Sequence, residues 1–152
     1  MISNRQPMIL MAEDDADDCL LMQDAITEAG YTGQIRFVHD GQELMDHLLH
    51  RGKHANTDAP RPDLILLDLN MPRKDGREAL AEIRHHPELR RLPVVVFTTS
   101  KADTDIARVY ELGANSFVTK PVAFDALVNT VKSLANYWFG IVELPYPTAI
   151  TA

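Results

Sequence analysis

Five short, mostly apolar runs recur along the chain, at Met8–Ala12, Ile35–Val38, Leu64–Leu67, Val94–Phe97 and Ser116–Thr119. Several are apolar at nearly every position instead of alternating, which predicts strands covered on both faces in a parallel sheet. Between the runs the spacing becomes helical. Cys19, Met22, Ile26 and Ala29 fall near one face, and Gly30 stops that segment. Asp40 and Glu43 form an acidic version of a capping box ahead of Leu44, Leu48 and Leu49. A third segment runs from about Arg77 to His85, carries Leu80 and Ile83, and halts before Pro87. Ser100 and Asp103 read as another capping pair before Ile106, Val109 and Tyr110, with Gly113 as the stop. Phe124, Leu127, Val128, Val131, Leu134 and Ala135 give the last stripe.

A strand–helix alternation repeated five times requires crossover connections, which are right-handed in nearly all proteins. It predicts an α/β fold with a doubly wound, five-stranded parallel sheet. Residues 1–135 are expected to form the domain, with 136–152 a C-terminal extension and not a separate domain. In open sheets of this kind the working crevice lies beyond the carboxyl ends of the strands.

Charge and composition narrow the function classes. A net charge of −7 and a pI near 5.2, with no continuous basic tract, argue against a nucleic-acid surface. No apolar stretch approaches the roughly 18 residues of a membrane span, and Met1–Pro7 has no apolar signal region. The single cysteine, Cys19, suits a reducing compartment and reads as a packed helix residue. A soluble, cytoplasmic protein is expected. The six histidines, including His47, His50, His54 and the adjacent His85-His86, have no cysteine among them and read as surface residues.

The strand ends carry the chemistry. Glu13-Asp14 end the first, Asp68 the third, Thr98 the fourth and Lys120-Pro121 the fifth. Carboxylates gathered at one rim repel one another unless a cation bridges them. Hard oxygen ligands with open positions favour Mg²⁺. Such a site would keep Asp68 ionised as a nucleophile for a phosphoryl group. Lys120 is expected to pair with Asp68 and then with a phosphoryl oxygen, to which Thr98 would also donate.

Ala12-Glu13-Asp14-Asp15, Leu66-Leu67-Asp68-Leu69-Asn70-Met71-Pro72, Asp75-Gly76, Phe97-Thr98-Thr99-Ser100 and Val118-Thr119-Lys120-Pro121 together resemble the receiver domains of bacterial response regulators. The resemblance covers about Met8 to Leu134. It implies a flavodoxin-like fold with strand order 2-1-3-4-5, and phosphorylation of Asp68 by a histidine kinase. It implies Mg²⁺ held by Asp14, Asp68 and the backbone carbonyl of Asn70, with Glu13 acting through water. Thr98 then falls at the switch position, Phe117 matches the aromatic that turns inward with it, and Asn70 and Ser100 lie where phosphate lifetime is tuned. The protein would be a switch that assists its own phosphorylation, not an enzyme. With no output domain expected to follow, it would signal by protein–protein contact or phosphorelay.

Two further segments remain. Arg51–Pro62 reads as a long exposed insertion. Tyr137-Trp138-Phe139, followed by the strand-like run Gly140–Leu144, is too apolar to be left in water and must fold back or meet a second subunit. With the long loop, this tail resembles the small response regulators that serve cyanobacterial phytochromes. That resemblance implies a phytochrome kinase as partner and a homodimer, here through Tyr137, Trp138, Phe139, Ile141, Val142, Leu144 and the fifth helix. Rival readings are an Asp-based phosphotransferase or phosphatase, a flavodoxin-like binding module and a degenerate receiver. The first often has a second acid where Asn70 stands, the second wants a Gly-, Ser- or Thr-rich loop where Glu13-Asp14-Asp15 stands, and the intact acidic set argues against the third.

Overall fold

The computed structural model describes residues 6–56 and 60–145. Strands β1 (Met8–Ala12), β2 (Gln34–Val38), β3 (Leu64–Leu67), β4 (Val94–Thr98) and β5 (Ser116–Thr119) form one parallel sheet ordered β2-β1-β3-β4-β5. Helices α1 (Ala16–Ala29), α2 (Gly41–Leu49), α3 (Gly76–His85), α4 (Asp103–Glu111) and α5 (Phe124–Asn136) cover it. This is the doubly wound architecture that the pattern predicts, in the strand order that the resemblance implies.

Strand alternation sorts the core into two layers. Leu10, Ala12, Ile65, Leu67, Val94 and Val96 meet the apolar stripes of α2, α3 and α4. Ile9, Met11, Leu64, Leu66, Val95 and Phe97 meet those of α1 and α5. Every residue of β1, β3 and β4 is buried, which explains their unbroken apolar runs; the edge strands β2 and β5 are only partly covered. Each buried aliphatic side chain contributes about 1.5–3 kcal/mol.

Helix starts differ in part from the expected caps. The Asp40 side chain does accept the Glu43 amide at 2.7 Å, but the Glu43 carboxylate takes the His39 amide at 2.8 Å, one residue outside the box. A full capping box occurs at α3 between Asp75 and Glu78, so that helix begins ahead of Arg77. The expected Ser100–Asp103 cap is absent: Ala102 occupies the N-cap of α4, and the Ser100 hydroxyl donates instead to Asp105 at 2.6 Å. That bond runs to a charged carboxylate in the first turn of α4 and is charge-assisted.

After α5 the chain does not turn into a strand. Tyr137–Ile141 continues as a π-type turn closed by the Val142 amide on the Tyr137 carbonyl. Helical continuation keeps Trp138 and Phe139 near the same side, where both pack on the α1/α5 core and Phe139 stacks on Tyr31 with centroids 6.1 Å apart. An extended run would have sent them to opposite faces. Tyr137 and Ile141 stay exposed, while Val142 and Leu144 are half-buried. The extension expected over residues 136–152 is described only as far as residue 145.

The 51–62 segment, of which 57–59 lie outside the described residues, is not a free loop at its start. Gly52–His54 form a 3-10 turn, and Lys53 Nζ and His54 Nε2 each lie 3.1 Å from Glu43. His47 corrects the surface reading of the histidines: it is buried edge-on against His54, with ring centroids 5.0 Å apart. Its place on the covered face of α2 decides this.

Candidate functional site

The ladder continues one residue past several strand ends, and this builds the rim. The Glu13 amide donates to Val38 O at 2.9 Å, the Asp68 amide to Ala12 O at 3.1 Å, and the Lys120 amide to Thr98 O at 2.8 Å. These bonds bring Glu13, Asp14, Asp68, Thr98 and Lys120 to the carboxyl edge of the sheet. Gly76 brings up the α3 start: its amide donates to Leu69 O at 2.9 Å, and a Cβ there would come 2.2 Å from Asp68 O. Glycine is required by that approach.

Carboxylate oxygens of Glu13, Asp14 and Asp68 lie within 4.8 Å of one another. Glu13 and Asp68 are buried and Asp14 is exposed. An all-oxygen donor set of this charge fits a hard divalent cation. Asn70, two residues past Asp68, is exposed at the same rim.

Lys120 pairs with Asp68 as expected, but its nearer partners are Glu13 and Asp18. Its ammonium bonds directly to Glu13 Oε1, lies 3.3 Å from Asp18 and stands 3.6 Å from Asp68 Oδ2, the longest of the three. The Asp15 amide holds Glu13 Oε2 at 3.0 Å and so turns Oε1 toward Lys120. Burial pushes the Glu13 carboxyl above its ordinary value, although Lys120 and the Asp15 amide pull the other way. Burial pulls Lys120 down, but the Glu13 bond and the Asp68 charge outweigh it and raise the ammonium above its usual value.

Thr98 is fully buried, and its hydroxyl has no hydrogen-bond partner among the described residues. Phe117 lies partly buried against the α2/α3/α4 side of the core, and its amide donates to the Tyr110 hydroxyl at 3.1 Å. Sequence reasoning missed Asp18 beside Lys120, and it missed His39, whose Nδ1 lies 3.1 Å from Glu13 O. Their partners are 102 and 26 residues away, so no local motif marks them.

A family comparison agrees with the geometry. The sequence profile of the response regulator receiver domain matches residues 9–132. The chain is 41% identical over 143 residues to the response regulator Rcp1 of Synechocystis sp., covering 94% of this chain and 96% of that protein. It is similar to the crystal structure of the phosphorylated cyanobacterial phytochrome response regulator RcpA, with TM-score 0.84, 42% identity and coverage of 92% and 99%. It is also similar to the Mn(2+)-bound form of Rcp1, with TM-score 0.81, 40% identity and coverage of 91% and 99%. Receiver domains bind a divalent metal and accept a phosphoryl group on an aspartate, the chemistry that the oxygen cluster at this rim suits. With the acidic rim, the sheet order and the matched profile in agreement, the chain belongs to the response regulator receiver domain family.

Proposed function

We propose that Asp68 is the phosphoacceptor of this receiver and that a histidine kinase supplies the phosphoryl group. Asp68 carries the reading because it is the buried carboxylate that both joins Glu13 and Asp14 and stands 3.6 Å from Lys120. Asp14, Asp68 and the Asn70 backbone carbonyl would hold Mg²⁺, with Glu13 reaching it through water. Bound there, Mg²⁺ supplies the positive charge that lets the carboxylates stay ionised together.

An Asp68 oxygen attacks the phosphorus of a phosphohistidine, a P–O bond forms, the P–N bond breaks and the imidazole leaves. Lys120 turns from Glu13 toward a phosphoryl oxygen. The Thr98 hydroxyl, buried without a partner, gains one in the same group, and Phe117 moves inward into the space beside it. The group accepting the phosphoryl is the chain's own aspartate. The product biases a two-state equilibrium read out by protein contact or phosphorelay.

A phytochrome is the kinase this reading favours, supported by the likeness to RcpA and Rcp1. Exposed Leu20 on α1 and exposed Val122 after Lys120 are apolar side chains open to such a partner. A homodimer through Tyr137, Ile141, Val142, Leu144 and α5 is supported by the two exposed apolar side chains of the tail. A cytoplasmic location fits the lone cysteine; among the described residues no helix is long and apolar enough to cross a membrane.

Intact-mass measurement after acetyl phosphate treatment, with and without Mg²⁺, tests the acceptor. One phosphoryl group is expected on wild type with Mg²⁺ and none on Asp68→Asn. No gain on wild type, or an equal gain on the variant, overturns the assignment.

A further inference from the structure

Arg77 stands in the first turn of α3 and Asp105 in the first turn of α4, 28 residues apart in sequence. Arg77 Nη2 donates to Asp105 Oδ1 at 2.8 Å, and the Ser100 hydroxyl donates to Asp105 Oδ2 at 2.6 Å. Each oxygen of one carboxylate thus holds a different partner. Arg77 Nη1 also lies 3.7 Å from Asp75, the α3 N-cap, and Ser100 Oγ accepts the Ala102 amide at 3.4 Å. The Arg77 and Asp105 side chains are 28% and 26% exposed, so water screens the ion pair only in part. Both bonds to Asp105 are charge-assisted.

The ends of this chain of bonds matter. Arg77 follows Gly76, whose amide is tied to Leu69 O and whose Cα abuts the Asp68 carbonyl. The α3 start is therefore fixed to the strand end that carries Asp68. Ser100 lies two residues beyond Thr98, and residues 99–102 are all that join β4 to α4. Whatever holds Ser100 limits how far that short connection moves over the rim.

We infer that Arg77 and Asp105 are positioning residues of the switch, holding Ser100 toward α4 in a bond that must yield before residues 99–102 close over a phosphoryl group at Asp68. The inference rests on the assignment of Asp68 as acceptor. Neither residue touches reacting atoms; both act through Ser100. A contact made only in the open arrangement shifts the equilibrium toward that arrangement, so removing it favours closure.

Beryllofluoride, a phosphoryl mimic, provides the test when titrated with Mg²⁺ into the full chain and followed by the Thr99 and Ser100 amide resonances. Arg77→Ala and Asp105→Ala are expected to half-saturate at about threefold to fivefold lower concentration than wild type. Arg77→Lys should fall between. The gap should narrow in roughly 0.5 M salt, which screens the ion pair; a purely structural role would not respond this way. Ser100→Ala leaves the Arg77–Asp105 pair intact and should shift in the same direction, which keeps the test valid if an ion-pair variant unfolds. Unchanged or weaker binding in the variants beside normal wild-type binding overturns the latch and leaves the acceptor standing. No binding by wild type, or equal binding by Asp68→Asn, overturns both.

Discussion

Lys120 stands 3.6 Å from Asp68 but makes its direct hydrogen bond to Glu13. The ammonium neutralises the most deeply buried carboxylate of the cluster, and its contact with Asp68 is the longest of its three. Glu13 is 1% exposed and Lys120 10%. Lys120→Met leaves a buried carboxylate without its counter-charge, and about 3 kcal/mol of stability should be lost in EDTA. Mg²⁺ supplies replacement charge, so the gap should narrow when urea unfolding is repeated with the ion present. An equal loss in both conditions would show that the cation and Lys120 do not share the same charge.

Thr98 offers the opposite trade. Its buried hydroxyl lacks a partner among the described residues, a defect worth about 1 kcal/mol or more. Thr98→Val keeps the side-chain shape and removes the orphaned group. Resting stability in urea should rise by about 1 kcal/mol, while beryllofluoride binding weakens because the hydroxyl can no longer meet the phosphoryl mimic. A variant that binds as well as wild type would take Thr98 out of the switch.

These two residues mark what the sequence made legible. Strand ends were readable because β1, β3 and β4 are buried on both faces, which leaves unbroken apolar runs that stop where Glu13, Asp68 and Thr98 begin. The partner of Lys120 was not readable. The choice between Glu13 and Asp68 depends on the Asp15 amide turning one carboxylate, a geometric fact with no residue pattern. Ser100 misled for a related reason. Its spacing to Asp103 suited a cap, but Ala102 takes the N-cap and the Ser100 hydroxyl donates to Asp105, which Arg77 also holds. The tail misled because an apolar run is equally compatible with a strand and a turn, and only the position of Tyr31 against Phe139 decides.

Glu43 gives the fold a pH dependence. Burial raises its carboxyl, but the His39 amide, Lys53 and His54 outweigh this and hold it below the ordinary 4.5. A depressed folded value means that ionised Glu43 stabilises the native state above pH 4.5, and that this contribution fades as pH falls through the lower folded value. Glu43→Gln should therefore be less stable than wild type at neutral pH, with the difference shrinking on acidification below 4.5. Urea midpoints across that range provide the check; a pH-independent gap would mean that packing, not charge, is what Glu43 supplies.

Arg84 joins three segments from a half-buried position. Its guanidinium donates to Gly113 O at 2.7 Å, Leu92 O at 2.9 Å, Asn115 Oδ1 at 3.0 Å and Arg90 O at 3.2 Å. Arg84→Met strands these acceptors and should cost about 2–4 kcal/mol in chemical denaturation. Arg84→Lys should recover little of this, because a point ammonium cannot span acceptors arranged around a planar fork. Full recovery by lysine would reduce the role of Arg84 to charge alone.

The tail divides into a part that holds the fold and a part available to a second copy. Trp138 and Phe139 pack on the α1/α5 core, whereas Tyr137 is 50% and Ile141 62% exposed. Phe139→Ala removes half-buried contact with Tyr31 and should lower stability by about 1–2 kcal/mol. Ile141→Asp changes a surface side chain and should leave unfolding within about 0.5 kcal/mol of wild type. If the second copy docks here, Ile141→Asp places a charge in an apolar contact and should weaken self-association sharply in sedimentation equilibrium. Trp138, the single tryptophan, reports unfolding by fluorescence in both variants. Undiminished association of Ile141→Asp would put the dimer contact on another face and leave the tail a device of the monomer's own core.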